Sequence, residues 1–400
     1  MRLARTADQL IPELAQYQRR FLLAAGAGAL LSALGLVLDH ARFFQSYLMA
    51  YMLVLGASLG CLALGMIHQL SGGAWGVVTR RMIGASSRIL PILTVLFLPI
   101  AFGMHDLYHW THEEVVAADE ILQRKQLYLN VPFFLIRAAI YFAIWNALVY
   151  FLNTWSLEQD RTGDPTIPRR MQKLSGGGLV VFALTVTFAS FDWLMSLDPH
   201  WFSTIYGVLI MGGQGLTALA LLIIMLTWLS RRPPLDTIVV SSHFHDLANL
   251  MLAFVLLWAY FSFSQYLIIY SANLPEEITW YTRRLLTGWR SVGVFLVVFH
   301  FALPFAILLS RKLKRHPALL VKVAIGILVV RLVDLMWLIA PELNPDGFSI
   351  HWLDLVLPLT LASLWTGLFF RELRGRAILP VHDPQFGEAI GPLIQQGSES

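Results

Sequence analysis

Asp192 and Asp198 stand six residues apart in SFDWLMSLDPHWFSTIYG (190–207), at the end of a long apolar run. An ionised carboxylate is expensive in such a run unless it is paired, hydrated in an enclosed space, or used in proton chemistry. Desolvation raises a carboxyl's pKa until it can accept a proton, and an adjacent Arg opposes that rise. Arg137, Arg331, Asp334 and His300 also fall inside apolar runs. Arg331 and Asp334, three residues apart, share a helical face and can pair. His68, Arg88, His243, His245 and Asp246 gather near the opposite ends of their segments, and Tyr260, Ser262, Ser264, Gln265, Tyr266 and Tyr270 follow along one segment. With intervening waters, His68, Arg88, His245, Asp246, Tyr260, His300, Arg331 and Asp334 could relay protons. The gaps are too wide for a bare wire.

Several of the polar residues have a plainer use. Arg88, Arg290 and Lys322 lie close enough to segment ends to snorkel. Ser241 or Ser242 caps the segment that follows, Asp246 suits the positive end of its dipole, and Asp354 caps the last one. Arg331–Asp334 could be structural glue. His105, His109 and His112 in HDLYHWTH have metal-compatible spacing, but no completing ligands are evident, and interfacial hydrogen bonding accounts for them.

Long apolar helices must position these groups. Of the 400 residues, 57% are hydrophobic and 14% charged, with mean hydropathy +0.63. Soluble domains are nearer ~25% charged, so the composition specifies an all-α integral membrane protein. Ten runs are long enough to span: 20–38, 44–68, 82–104, 130–153, 175–198, 203–229, 247–271, 288–310, 317–340 and 350–370. The first is too long for a signal-peptide core and is expected to stay as an anchor. Alternate loops carry nineteen Lys and Arg on one side against six on the other, which puts both termini in the cytoplasm. The basic pI of about 9.2 follows from those loops and does not signal nucleic-acid binding. Cys61 is the only cysteine and sits in an apolar run, which excludes a disulfide or cysteine-ligated cluster within the chain.

The fifth and ninth runs end alike, in DWLMSLDP (192–199) and DLMWLIAP (334–341), each with an Asp seven residues before a Pro. The loops before the fourth and eighth runs, HEEVVAADEILQRK (112–125) and PEEITWYTRR (275–284), both go from a Glu pair to a basic pair. These matches suggest two parallel-repeat four-helix bundles, residues 44–198 (helices 2–5) and 203–340 (helices 6–9), flanked by helices 1 and 10. Outside the bundles, 1–19 is a cytoplasmic N-terminus and 377–400 an extended or disordered tail. Residues 105–129 should hold a short interfacial helix, and no outer loop can house a redox domain. A b-type haem site, a nucleophile triad, a P-loop and a dinucleotide fingerprint are all missing from the sequence. MGGQG (211–215) could break the sixth helix as in a secondary transporter, or serve close packing.

With those residues in view, the chain resembles the NrfD-like membrane subunits, most closely the F-subunit branch of bacterial alternative complex III, a quinol:cytochrome c oxidoreductase. HDLYHW (105–110), YLNVPFFLIRAAIYFAIW (128–145), SFDWLMSLDPHWFSTIYG (190–207), HDLANLMLAFVLLWAYFSFSQYLIIYSANLPEEITWY (245–281) and HFALPFAILLSRKLKR (300–315) carry the likeness, which extends over about residues 20–375. It implies a single membrane domain of two four-helix bundles in the bacterial inner membrane. It also implies a quinone-like pocket in the outer half of the first bundle, with His105, Asp106 and Asp192 at the matching positions and Arg137 beside Asp192. Polar residues along both bundles would form proton half-channels. The implied partners are a second NrfD-like subunit, an iron–sulfur subunit related to molybdopterin enzymes, multihaem and monohaem cytochromes c, a terminal oxidase and lipids. Haem and iron–sulfur centres would sit on those partners, leaving this chain with no redox centre and at most a quinone. A purely structural, lipid-binding scaffold and a secondary transporter are the rival readings.

Overall fold

A computed structural model describes residues 2–344, 347–376, 378–380, 383–384 and 386–387. Its described elements are all helical, and ten helices are long and apolar enough to cross a membrane. They are α1 (Leu10–Leu38), α2 (His40–Ser71), α3 (Ala74–Phe102), α4 (Val131–Thr162), α5 (Thr166–Leu197), α6 (Tyr206–Leu229), α7 (Ser241–Ala272), α8 (Trp289–Leu308), α9 (Pro317–Leu343) and α10 (Leu353–Arg374). Apolarity in the sequence marked only the crossing portions. Several helices run on past it: α4 continues through LEQDRT to Thr162, and α5 begins nine residues early at Thr166. A helix needs no apolar face once it leaves lipid.

Local chemistry explains where helices start and stop. Asn130 caps α4 by accepting from the Phe133 amide at 2.9 Å, and Gly163 ends that helix at φ 65°. Ser241 and Ser242 do not cap α7. Val240 is the N-cap residue, and its amide donates to Nδ1 of His243 at 3.2 Å. Asp354 does close the start of α10: it accepts from the His351 amide at 2.8 Å and from Ser46 Oγ of α2 at 2.5 Å. Pro91 and Pro99 divide α3 into three helical pieces. Where the helix tightens, the Phe97 amide turns to Thr94 and the Ile100 amide to Phe97. The carbonyls of Leu93 and Leu96 then accept from Tyr51 Oη (2.9 Å) and Tyr47 Oη (2.7 Å) of α2. In hydrocarbon a loose carbonyl costs several kcal/mol, so these tyrosines make the broken helix tenable.

The core is centred on α2 and α6, which bury 78% and 72% of their crossing windows. They pack against each other. Around them α2 also meets α3, α5, α9 and α10, while α6 meets α5, α7 and α9. A Cβ on Gly60 would fall 2.2 Å from the Gln214 carbonyl oxygen, so the two backbones touch there. The sixth helix is continuous from Tyr206 to Leu229, and MGGQG is therefore a packing motif rather than a break. By contrast α1 buries only 17% of its window and leans chiefly on α10. The described part of the tail lies on this chain: Ile378 and Leu379 are buried and Asp383 pairs with Arg80.

Candidate functional site

Asp192, the one carboxylate of α5, is fully enclosed. Arg137 of α4 grips it in a two-pronged pair, Nε to Oδ2 at 2.8 Å and Nη2 to Oδ1 at 2.9 Å. Tyr141 Oη donates to Oδ2 at 2.7 Å. The remaining guanidinium nitrogen, Nη1, donates to the Tyr128 carbonyl at 2.9 Å, and the cation lies 3.8 Å from the Tyr128 ring and 4.4 Å from Phe133. Both carboxylate oxygens and all three guanidinium nitrogens are thus satisfied by protein. Tyr141 escaped the sequence reading, although it lies one turn beyond Arg137 on the same face, and that spacing was the available signal.

His105 and Asp106 do not join this pair by any described hydrogen bond or ion pair. Asp106 lies 3.1 Å from His40 Nδ1. His105 is exposed, its ring 4.6 Å from that of His112, whose Nε2 sits 2.9 Å from the His105 carbonyl. Among the described residues no group of three or more His, Cys, Asp or Glu could hold a metal ion.

A second buried cluster is built from α7, α8 and α9. Arg331 and Asp334 pair within α9; Trp258 Nε1 of α7 donates to Asp334 Oδ2 at 3.2 Å, and His300 Nε2 of α8 lies 3.9 Å from the same oxygen. His300 is fully buried in a π-helical turn, Val297–Ala302, with its ring 4.2 Å from Trp258 and neither nitrogen hydrogen-bonded. Such turns re-aim one side chain and recur at functional sites. Gly213 of α6 explains how the guanidinium fits: a Cβ there would lie 2.2 Å from Arg331 Cζ.

One basic residue of each of the two similar loops, Lys125 and Arg284, donates to backbone carbonyls of a later segment, whereas Arg124 pairs with Glu120 in its own loop. Lys125 Nζ donates to the Pro199 carbonyl at 2.5 Å, just past α5. Arg284 donates to the Trp337 and Leu338 carbonyls at 3.1 and 3.2 Å and to Glu342 at 2.7 Å, at the end of α9. Arg283 pairs with Glu342 and lies 3.5 Å from Asp198, which ties the end of α9 to the segment just past α5. Burial pulls the Lys125 ammonium below its ordinary value, while Asp198 and Asp119 oppose the shift.

At the other face a cavity of about 60 Å³ is lined in part by His68, Arg80, Ser87, Asn153 and Ser156. That is room for a few waters among polar partners. His68 Nε2 is 3.0 Å from the Gly73 carbonyl. Arg88 does not snorkel. Its Nε reaches Glu372 Oε2 of α10 at 2.9 Å, Nη2 the Glu372 carbonyl at 2.8 Å, and Nη1 Asn153 Oδ1 of α4 at 2.9 Å. Arg80 donates to Gln159 at 2.9 Å, and Arg81 pairs with Asp160. His245 and Asp246 stand apart, half-buried, with His245 3.3 Å from Asn249 Nδ2 and 3.7 Å from Asp246. Tyr260 is 64% exposed on the outer surface of α7, and Tyr270 likewise at 62%, so the hydroxyl-rich helix does not line an interior channel at these two tyrosines. Glu372, Asn153 and Asp383 were missed because each lies far from its partner in sequence.

No protein-family model matches the chain, and no curated protein matches it.

Proposed function

We propose that the chain is an NrfD-like membrane subunit of a bacterial respiratory quinol:acceptor oxidoreductase of the alternative complex III type. In this reading α2–α5 and α6–α9 are two four-helix bundles facing each other through α2 and α6, with both termini cytoplasmic in the inner membrane. A second NrfD-like subunit, the iron–sulfur subunit, the cytochromes c and a terminal oxidase would carry or receive the electrons. One observation carries the proposal: Asp192 and Asp334, matched in sequence, are both buried and ion-paired, each on a helix whose end is held by a Lys or Arg from the loop before the preceding helix. A duplicated fold with polar groups at matched depths is the architecture that the likeness implies.

Within that assembly the residues divide the work by whether they can change partners. A carboxylate held by three protein donors does not exchange protons until Arg137 lets go, so Asp192 anchors helices in the state described. His300 has two unbonded ring nitrogens near Asp334, and His68 lines a cavity that can hold water. These two are the better proton-handling groups. The lock on Asp192 also favours the scaffold reading, in which buried pairs fix helix register and the chemistry belongs to the partners.

Isolation of the full-length chain from its native membranes in mild detergent tests the assignment. Expected are co-purifying c-type haem absorbance and iron–sulfur signals together with quinol-driven acceptor reduction. A haem-free single chain lacking such activity would refute it.

A further inference from the structure

A cleft of about 330 Å³ opens between α1 and α10, lined by Ala15, Gln18, Arg19, Leu22, Leu23 and Arg374. We infer that it binds one anionic phospholipid on the basic side of the membrane, with Arg19 and Arg374 on the phosphate and the Gln18 side-chain carbonyl on a head-group donor.

The register of the two helices brings these groups together. Positions at which a Cβ would clash pair Leu22 with Gly367, Thr360 with Gly28, and Leu353 with Gly35, at 2.8, 2.1 and 2.4 Å. The sequence numbers rise along one helix as they fall along the other, so α1 and α10 pack antiparallel and Arg374 falls opposite Leu14 and Ala15. Side chains on a helix lean toward its N-terminus. Arg374 therefore leans into the membrane, while Arg19 leans out of it, toward the same level. No ion pair is described for either, and both are exposed. Arg80, Arg81 and Arg88, by contrast, are each held by a carboxylate.

One further feature selects a lipid rather than a free anion, and a second selects its head group. Leu22 and Leu23 continue the cleft below the charges, and Leu23, Leu30, Leu31 and Leu34 are 50–76% exposed down the same helix. An acyl chain can follow them. Gln18 Oε1 is buried and accepts no hydrogen bond. A carbonyl oxygen in that state needs a donor, which a phosphodiester lacks but a glycerol hydroxyl beside it supplies.

The test uses the full-length protein in nanodiscs, with lipid retention read by native mass spectrometry. Phosphatidylglycerol is the probe, against phosphatidylcholine (zwitterionic) and phosphatidylmethanol (anionic, without a donor). Each cation near an anionic surface contributes ~1 kcal/mol, so the Arg19→Gln/Arg374→Gln variant should retain phosphatidylglycerol roughly thirty-fold less. Gln18→Leu should keep anion selectivity but lose the preference for phosphatidylglycerol over phosphatidylmethanol. Equal retention of phosphatidylglycerol and phosphatidylcholine by the unaltered protein, or retention unchanged in the double Arg variant, overturns the site. Displacement of the lipid by inorganic phosphate alone would assign the cleft to a soluble anion instead. Equal retention of the two anionic lipids by the unaltered protein removes the role given to Gln18.

Discussion

Replacing Asp192 by Asn leaves the shape of the side chain and removes its charge. Arg137 then keeps its bond to the Tyr128 carbonyl and one acceptor on the amide, but loses its counter-ion in a site with no exposure at Asp192. With charge centres roughly 4 Å apart and an effective dielectric near 20, the lost attraction is about 4 kcal/mol. Losses on breaking buried pairs run ~3–5 kcal/mol, and replacing both partners by apolar groups is often near neutral. Asp192→Asn should therefore destabilise by ~3–4 kcal/mol, and Asp192→Leu by more because Tyr141 Oη also loses its acceptor. Arg137→Leu alone should cost as much. The Arg137→Leu/Asp192→Leu double variant should recover most of that loss, a coupling of several kcal/mol. Thermal unfolding in detergent, followed by size-exclusion fluorescence, measures the stabilities, and quinol-driven proton release by the whole assembly in proteoliposomes tests the proposed function. If the single losses simply add in the double variant, Arg137 and Asp192 do not act as a pair and the account of the site fails. A well-folded double variant with unaltered proton release would confine both residues to holding α4 against α5.

Two further outcomes follow from particular contacts. Gly213→Ala places a methyl where the Arg331 guanidinium lies, so it should cost ~1–3 kcal/mol in thermal stability, whereas Gly326→Ala, where the space is open, should not. Asp119 is held below the ordinary carboxylate range by the His200 ring 2.5 Å away and by the Leu122 and Ile121 amides. Its folded pKa is the lower one, so its contribution is complete at neutral pH, begins to fade below the ordinary aspartate value near 4 and is gone once pH drops through the folded value. Hydrogen exchange across 119–125 should accelerate only in that acidic window. Acceleration between pH 7 and 5 would contradict the assignment to Asp119.

The number of helices was legible because a bilayer demands about twenty apolar residues for each crossing, and composition alone reports that. Pairing was legible only where periodicity brings partners together. Arg331–Asp334 follows from three-residue spacing, and Arg137 with Asp192 from two consecutive antiparallel helices. Arg88–Glu372 spans 284 positions and Arg80–Asp383 joins α3 to the tail, distances over which a single sequence carries no register. Exposure was misjudged for the same reason. Tyr260 and Gln265 look equally polar in sequence, yet one lies on the outer surface while the other is buried beside Ser203, 3.0 Å away. The glycines show the limit most clearly. Gly213 could be read as a helix break or as room for a neighbour, and only the position of Arg331, 118 residues later, decides between them. The neighbour is a cation, so the glycine's role is electrostatic at one remove: it lets a charge sit against a backbone that cannot move aside, with Asp334 as its balance. Function that depends on buried charge in this fold is therefore set by where the small residues are as much as by where the charges are.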